Sequence, residues 1–346
     1  VSRNGDALKF STKEGDHFLL WAGQPSYQNT FKKFNVGEYQ ISLYEQFGRF
    51  EGDYVLQLLD AENELLDERI VTVVAGEARR ISKVVSTLPA LEVPVGMVKI
   101  PSGRFHFKAT EGDAFIPYPQ QDLDSTFEMK MMFMDKFPVT NQDFEKFLLQ
   151  SKYKPSDTHH FLKHWINGKI PKGQEQFPVV YVSIEDAKAY CRWAGKRLPT
   201  EIEWQYAAQT SALNEWPWNQ TEKVTRKETE VTETLTVSEI QGIMPGVCNL
   251  GDGKLYSVGS YPKGANPFGL QDLVGSVWQL TNDEYVNGSY SMIIMKGGSF
   301  FKPSSSWWYV QGGPRELHYR QMLLRVSQGF ERNATVGFRC VKDSVN

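Results

Sequence analysis

Ala189-Tyr190-Cys191-Arg192-Trp193-Ala194-Gly195-Lys196-Arg197-Leu198-Pro199-Thr200-Glu201-Ile202-Glu203-Trp204 is the stretch whose reading decides the fold. It holds the end of one helix and the start of the next. The first of these opens at Ser183-Ile184-Glu185-Asp186, a capping-box pattern with Asp186 in place of the usual Glu. Its stripe of Ala187, Tyr190, Cys191 and Ala194 repeats at helical spacing and predicts one buried face. Gly195 stops it, and Arg197-Leu198-Pro199-Thr200 resets the chain. Thr200 then caps a second helix, with Glu203 three residues on and a body running through Trp204 and Ala207-Ala208. Upstream, Thr140 signals another: Asp143 and Glu145 fall in its first turn, and Phe144, Phe147 and Leu148 form one face.

Around these helices the chain reads as short strands and irregular loops. Met97–Phe105 is a strand, a turn at Pro101–Gly103 and a second strand; Met129–Met134 leads into Lys136-Phe137-Pro138-Val139-Thr140-Asn141. Aromatic, Gly-rich strands return from Gly297-Gly298-Ser299 to Gly337-Phe338-Arg339-Cys340. Polar residues of mixed charge fill Gln220–Gly242, so residues 219–243 are expected to form an exposed insertion. In the first ninety residues, segments such as Ala7–Phe10, His17–Trp21, Tyr54–Leu59 and Ile70–Val74 alternate with turn signals, and Tyr39–Tyr44 shows period-two alternation. Regular strand spacing without helical periodicity predicts a small antiparallel β-sandwich at 1–90. It carries no cluster of reactive side chains, so an accessory role is expected. Trp21, Phe31 and Phe34 are its only hints of a contact surface. Ser86–Val95, with two prolines and little charge, reads as the linker to an α+β domain at 91–346.

Composition narrows the function classes. The 346 residues are 40% hydrophobic and carry a net charge of −3, so no bulk field recruits nucleic acid or an anionic membrane. The longest apolar runs, such as Phe18–Trp21, are of strand length, far below a membrane-spanning helix. No stretch near Val1 resembles a signal peptide, which leaves a cytoplasmic protein or a mature exported one. Three cysteines, Cys191, Cys248 and Cys340, are too few for a disulfide scaffold and fit no zinc spacing. They leave room for one bridge and one thiol.

The runs Phe137–Asn141, Pro178–Ala187, Ala189–Glu201, Gly269–Trp278, Gly297–Ser299 and Gly337–Cys340 occur in one order, and over residues 96–346 the chain resembles the formylglycine-generating enzyme (sulfatase-modifying factor) family. The resemblance implies an elaborated C-type-lectin-like fold with much irregular chain, and does not extend to residues 1–90. Enzymes of that family oxidise a substrate cysteine to formylglycine with copper, held by two thiols that lie three and eight residues after the Ser of the Gly-Gly-Ser turn. Counting from Ser299 puts Lys302 and Trp307 at those positions. Cu(I) selects soft thiolates, which neither residue supplies, so copper and formylglycine generation are not expected. By the same resemblance Cys191 and Cys340 are expected to form a disulfide, and the chain to be extracytoplasmic, in a periplasm or at a cell surface. Family calcium sites map onto Asp272, Gly275, Val277 and Gln279, and onto Asn249, Leu250, Asp252 and Lys254; hydrogen-bonded turns without metal are the competing reading.

Two further constellations remain. His159, His160 and His164 could serve a metal, with His160 and His164 on one helix face, or be surface and structural groups. Trp307-Trp308-Tyr309 falls where the family's groove lies and would offer a stacking surface, unless its side chains alternate into a core. Arg320, with Arg315 and Arg325, would lie near the same groove, either binding an acidic ligand or simply exposed. The resulting expectation is a non-catalytic binding or scaffold protein. Ser299, Lys302, Trp307, Trp308 and Arg320 would flank a groove for a glycan or a peptide. A metal-dependent oxidase of different chemistry is the alternative.

Overall fold

The computed structural model describes residues 1–111, 118–119, 124–218, 224–225, 234–235, 245–287, 290–302, 312–325, 329 and 331–345. The chain divides into two compact units. One comprises residues 1–81 with 115–122 and 285–290, the other 82–114, 123–284 and 291–346.

In the first unit a three-stranded antiparallel sheet (Ser2–Asn4, Ala7–Ser11, Glu38–Ser42) accompanies a four-stranded one ordered Phe31–Asn35, His17–Ala22, Gly52–Leu59, Leu65–Val73. Alternation does the work the sequence predicted: Leu8 and Phe10 turn inward from one sheet, Phe18, Leu20, Tyr54 and Leu56 from the other, into one shared core. The strand expected over Tyr39–Tyr44 stops at Ser42. There the Ser42 side chain accepts the Glu45 N–H at 3.0 Å and starts helix α1 (Leu43–Phe47). A Ser with Glu three residues on is a helix signal, and here it overrides the period-two pattern. Trp21 donates to Gln57 Oε1 at 2.9 Å and packs on Phe31, while Phe34 joins the core beside Phe10.

In the second unit helices α2 (Asn141–Ser151), α3 (Ile184–Trp193) and α4 (Glu201–Gln209) all start on complete capping boxes, Thr140 with Asp143, Ser183 with Asp186, and Thr200 with Glu203. Phe144 and Phe147 of α2 and Ala187, Tyr190 and Cys191 of α3 are buried together with Phe338 and Cys340. The disulfide Cys191–Cys340 crosses this core, joining residues 149 apart in sequence. A sheet ordered Thr110–Glu111, Tyr319–Arg325, Tyr290–Lys296, Trp278–Asn287, Val336–Gly337 forms the wall on which the cleft described below is built. A second sheet pairs Met132–Asp135 with Met97–Ile100 on one side and Val341–Asp343 on the other. The stretch read as a linker is anchored in this unit: the Thr87 N–H donates to Asp343 Oδ2 at 2.6 Å and the Ala90 N–H to the Asp343 carbonyl at 2.9 Å. Apart from 224–225 and 234–235, the expected insertion lies outside the described residues.

Candidate functional site

The strand Tyr290–Lys296 ends at Gly297-Gly298-Ser299, where both glycines have positive φ, 91° and 76°. A Cβ on Gly297 would lie 2.2 Å from the Leu273 carbonyl oxygen, and one on Gly298 2.1 Å from that of Gly313. Backbone therefore meets backbone here, and only glycine allows it. Gly275 N–H donates to the Gly297 carbonyl at 3.1 Å and Phe300 N–H to that of Ser276 at 2.8 Å, locking the turn to the Asp272–Val277 loop. Ser299 is buried, its hydroxyl directed at the Phe301 carbonyl. Beside it opens a cleft of about 580 Å³, walled by Tyr181, Trp278, Phe301, Leu323, Asn333 and Val336 among others.

Tyr181 is held in the left-handed region at φ 56°, its N–H donating to the Asn333 carbonyl at 3.0 Å and its own carbonyl accepting from Leu162. Its ring stacks on His164 at 5.8 Å. Asn141 donates its amide to the Gln174 carbonyl, so its Oδ1 faces His164 Nε2 at 2.8 Å and Trp165 Nε1 at 3.0 Å. An acceptor there requires the His164 proton on Nε2, and burial pushes the imidazole down to about 4, keeping it neutral. His164 thus acts as a prop for the Tyr181 ring. Tyr181 and Asn333 are wall residues that the sequence reading did not single out; nothing about a tyrosine in Val180-Tyr181-Val182 announces a left-handed backbone.

The expected groove residues separate. Ser299 lines the cleft. Lys302 is exposed just beyond Phe301 and is not among the described lining residues. Trp307 and Trp308 lie outside the described residues. Arg320 is not a groove residue: it is 1% exposed, and its guanidinium meets Glu111 and Glu201 inside the fold. Arg325 is likewise tied to Glu185, Glu284 and Glu331. The surface-arginine reading fails at both because carboxylates, most of them far away in sequence, enclose them.

No thiol stands in for the missing pair. Cys191 and Cys340 are bridged, which leaves Cys248 as a single buried thiol, pushed up to about 12 by burial, with no second cysteine to make a pair. The copper frame therefore lacks fitting donors. The three histidines do not converge either. Residues 158–165 form successive turns, with His160 and Leu162 in left-handed backbone, so no helix face aligns His160 with His164. His159 and His160 stack on each other at 3.9 Å. Among the described residues no group of three His, Cys, Asp or Glu is placed to hold a metal ion.

The two oxygen sets mapped for calcium fit hydrogen-bonded turns. Gln279 Oε1 accepts from Arg339 Nε at 2.6 Å and Trp204 Nε1 at 2.8 Å, so a guanidinium already faces the oxygen assigned to the ion. Asp272 Oδ2 accepts the Gly259 N–H, and the Asp272 carbonyl accepts from Gln279 and Arg339. In the other set Asn249 Oδ1 accepts from Gly251 and Asp252, and its amide donates to the Lys254 carbonyl; the Asp252 carboxylate accepts from Lys254 and Tyr256, and Leu250 is exposed. The donors at Gln279 and at Asn249 do not fit a calcium cage as they stand.

What the fold and cleft define is a formylglycine-generating-enzyme-like domain, closed by one disulfide and kept in shape around a Gly-Gly-Ser turn. The chain belongs to that family: residues 82–344 match the sulfatase-modifying factor enzyme 1-like domain. It is 30% identical over 247 residues to a Bos taurus protein named inactive C-alpha-formylglycine-generating enzyme 2, covering 60% of this chain and 76% of that protein. It is 27% identical over 310 residues to the formylglycine-generating enzyme of Mycobacterium tuberculosis, covering 72% of this chain and 98% of that one. Among solved structures, PvdO from Pseudomonas aeruginosa is similar with a TM-score of 0.47 at 20% identity, over 71% of this chain and 94% of the other.

Proposed function

We propose that this chain is a non-catalytic member of the family that binds a peptide segment of a partner protein in the Ser299 cleft, outside the reducing cytosol. The observation that carries the reading is a preserved cleft without its chemistry: the Gly-Gly-Ser frame and the clamp remain, while Lys302 and Trp307 stand where thiols would be. The existence of family members named inactive supports the same reading. Peptide is favoured over glycan by the walls, which are mostly apolar and aromatic, with Ser299, Asn333 and Thr335 as polar points and no carboxylate among the described lining residues. Such a surface suits an apolar side chain flanked by backbone amides; sugar hydroxyls need more polar partners. The buried disulfide supports the compartment.

Peptides selected from a display library on the full chain are expected to lose about tenfold or more in affinity with Tyr181→Ala or Phe301→Ala, the loss of one well-packed aromatic contact. Selected peptides indifferent to both changes, or a glycan-array signal that both abolish, would overturn the peptide reading.

A further inference from the structure

Within the second unit lies another cleft, of about 480 Å³, that the function above does not use. Six cationic side chains line it, Lys83, Lys188, Arg192, Lys196, Arg197 and Lys342, and no carboxylate is among the described lining residues. Helix α3 places Lys188 and Arg192 one turn apart on one face. The Gly195 turn adds Lys196 and Arg197, and the strand Val341–Asp343 adds Lys342.

Lys188 pairs with Glu284, Lys196 with Asp135 at 2.5 Å, and Arg197 with Glu203 and Asp343 at 2.7 Å each, and Lys83 is engaged as well. Arg192 and Lys342 differ. Arg192 is exposed, Lys342 donates to the Gly195 carbonyl at 2.7 Å, and neither has a carboxylate within ion-pair distance among the described residues. Both also answer the negative end of α3, Arg192 from its last turn and Lys342 through the Gly195 carbonyl, and neither role supplies a carboxylate to neutralise them.

The cleft also has an apolar part, and it is fixed. Val85 and Leu88 line it and are 76% and 86% exposed. Their segment does not float. Asn282 Nδ2 donates to the Lys83 carbonyl at 3.3 Å, and the Thr87 and Ala90 amides are held by Asp343. An anchored segment that shows large aliphatic side chains to water, in one cleft with two cations that lack a carboxylate partner among the described residues, is complementary to a chain that alternates carboxylates with apolar residues.

We propose that this cleft docks an acidic, extended segment of a partner protein, its carboxylates on Arg192 and Lys342 and its apolar side chains on Val85 and Leu88. The site is separate from the Ser299 cleft, and its failure would leave the reading of that cleft untouched.

The test is fluorescence anisotropy on the full chain with a labelled octapeptide of alternating Glu and Leu, beside a Lys-Leu octapeptide and a sulfated heparin oligosaccharide. The Glu-Leu peptide is expected to bind, the Lys-Leu peptide not, and affinity to fall as salt rises from roughly 50 to 500 mM. Arg192→Glu with Lys342→Glu is expected to weaken binding about tenfold or more. Arg192→Glu alone, at an exposed position, is expected to weaken it several-fold, while Lys13→Glu, the same charge change on the first unit, leaves it unchanged. The proposal is overturned if both octapeptides bind alike, if Arg192→Glu matches Lys13→Glu, or if only the sulfated oligosaccharide binds.

Discussion

At His164 a single imidazole links the cleft wall to the core, and its titration follows from where it sits. Burial holds it at about 4 in the folded chain against an ordinary 6.5. Between those values the unfolded chain binds more protons, so stability present above pH 6.5 is lost as pH falls toward 4. His164→Gln, which keeps a donor for Asn141 and removes the titration, is expected to flatten that slope in urea unfolding followed from pH 7 to 4; an unchanged slope would show that other groups carry it. At this scale the sequence was most telling about what is absent, because the spacing from Ser299 to Lys302 and Trp307 needs only counting. It was least telling about Arg320, Arg325 and Gln279, whose partners are set by packing between distant segments. A charged side chain near a groove motif looks the same in sequence whether it faces solvent or a buried carboxylate.

The helices were legible almost to the residue, since each carries its own start signal: Thr140, Ser183 and Thr200 each accept the backbone N–H three residues on. What holds the elements together was not. Arg197, just before α4, donates to both Glu203 oxygens at 2.7 Å and to Asp343 Oδ1 at 2.7 Å, tying the helix to the C-terminal strand. Glu203 also accepts the Thr200 N–H at 2.8 Å, so cap and clamp share one carboxylate. Arg197→Met leaves two largely buried carboxylates without their cation, and about 3 kcal/mol of stability is expected to be lost in urea unfolding. A loss under about 1 kcal/mol would mean that Arg197 behaves as a surface ion pair. The strand expected over Tyr39–Tyr44 failed at its end for a local reason, since Ser42 and Glu45 start a helix turn there.

Over the whole molecule, the family fold over residues 96–346 could be read from ordered motifs, where the family match runs over 82–344, and the first unit's antiparallel sheets from alternation. The path of Ser82–Val95 could not, because an extended segment docked along a domain has the composition of a linker. The Cys191–Cys340 bridge spans 149 residues, so it removes much of the freedom of the unfolded second unit. Its loss in Cys191→Ala with Cys340→Ala is expected to lower stability by about 4 kcal/mol, measured by urea unfolding of both proteins under oxidising conditions. Equal midpoints would contradict that. The central claim is that this fold keeps the family's cleft and has lost its reaction. The direct test is mass spectrometry of a Cys-x-Pro-x-Arg peptide incubated with the purified chain, copper and oxygen. The account predicts that the cysteine comes back unchanged; conversion of that cysteine to formylglycine would contradict it.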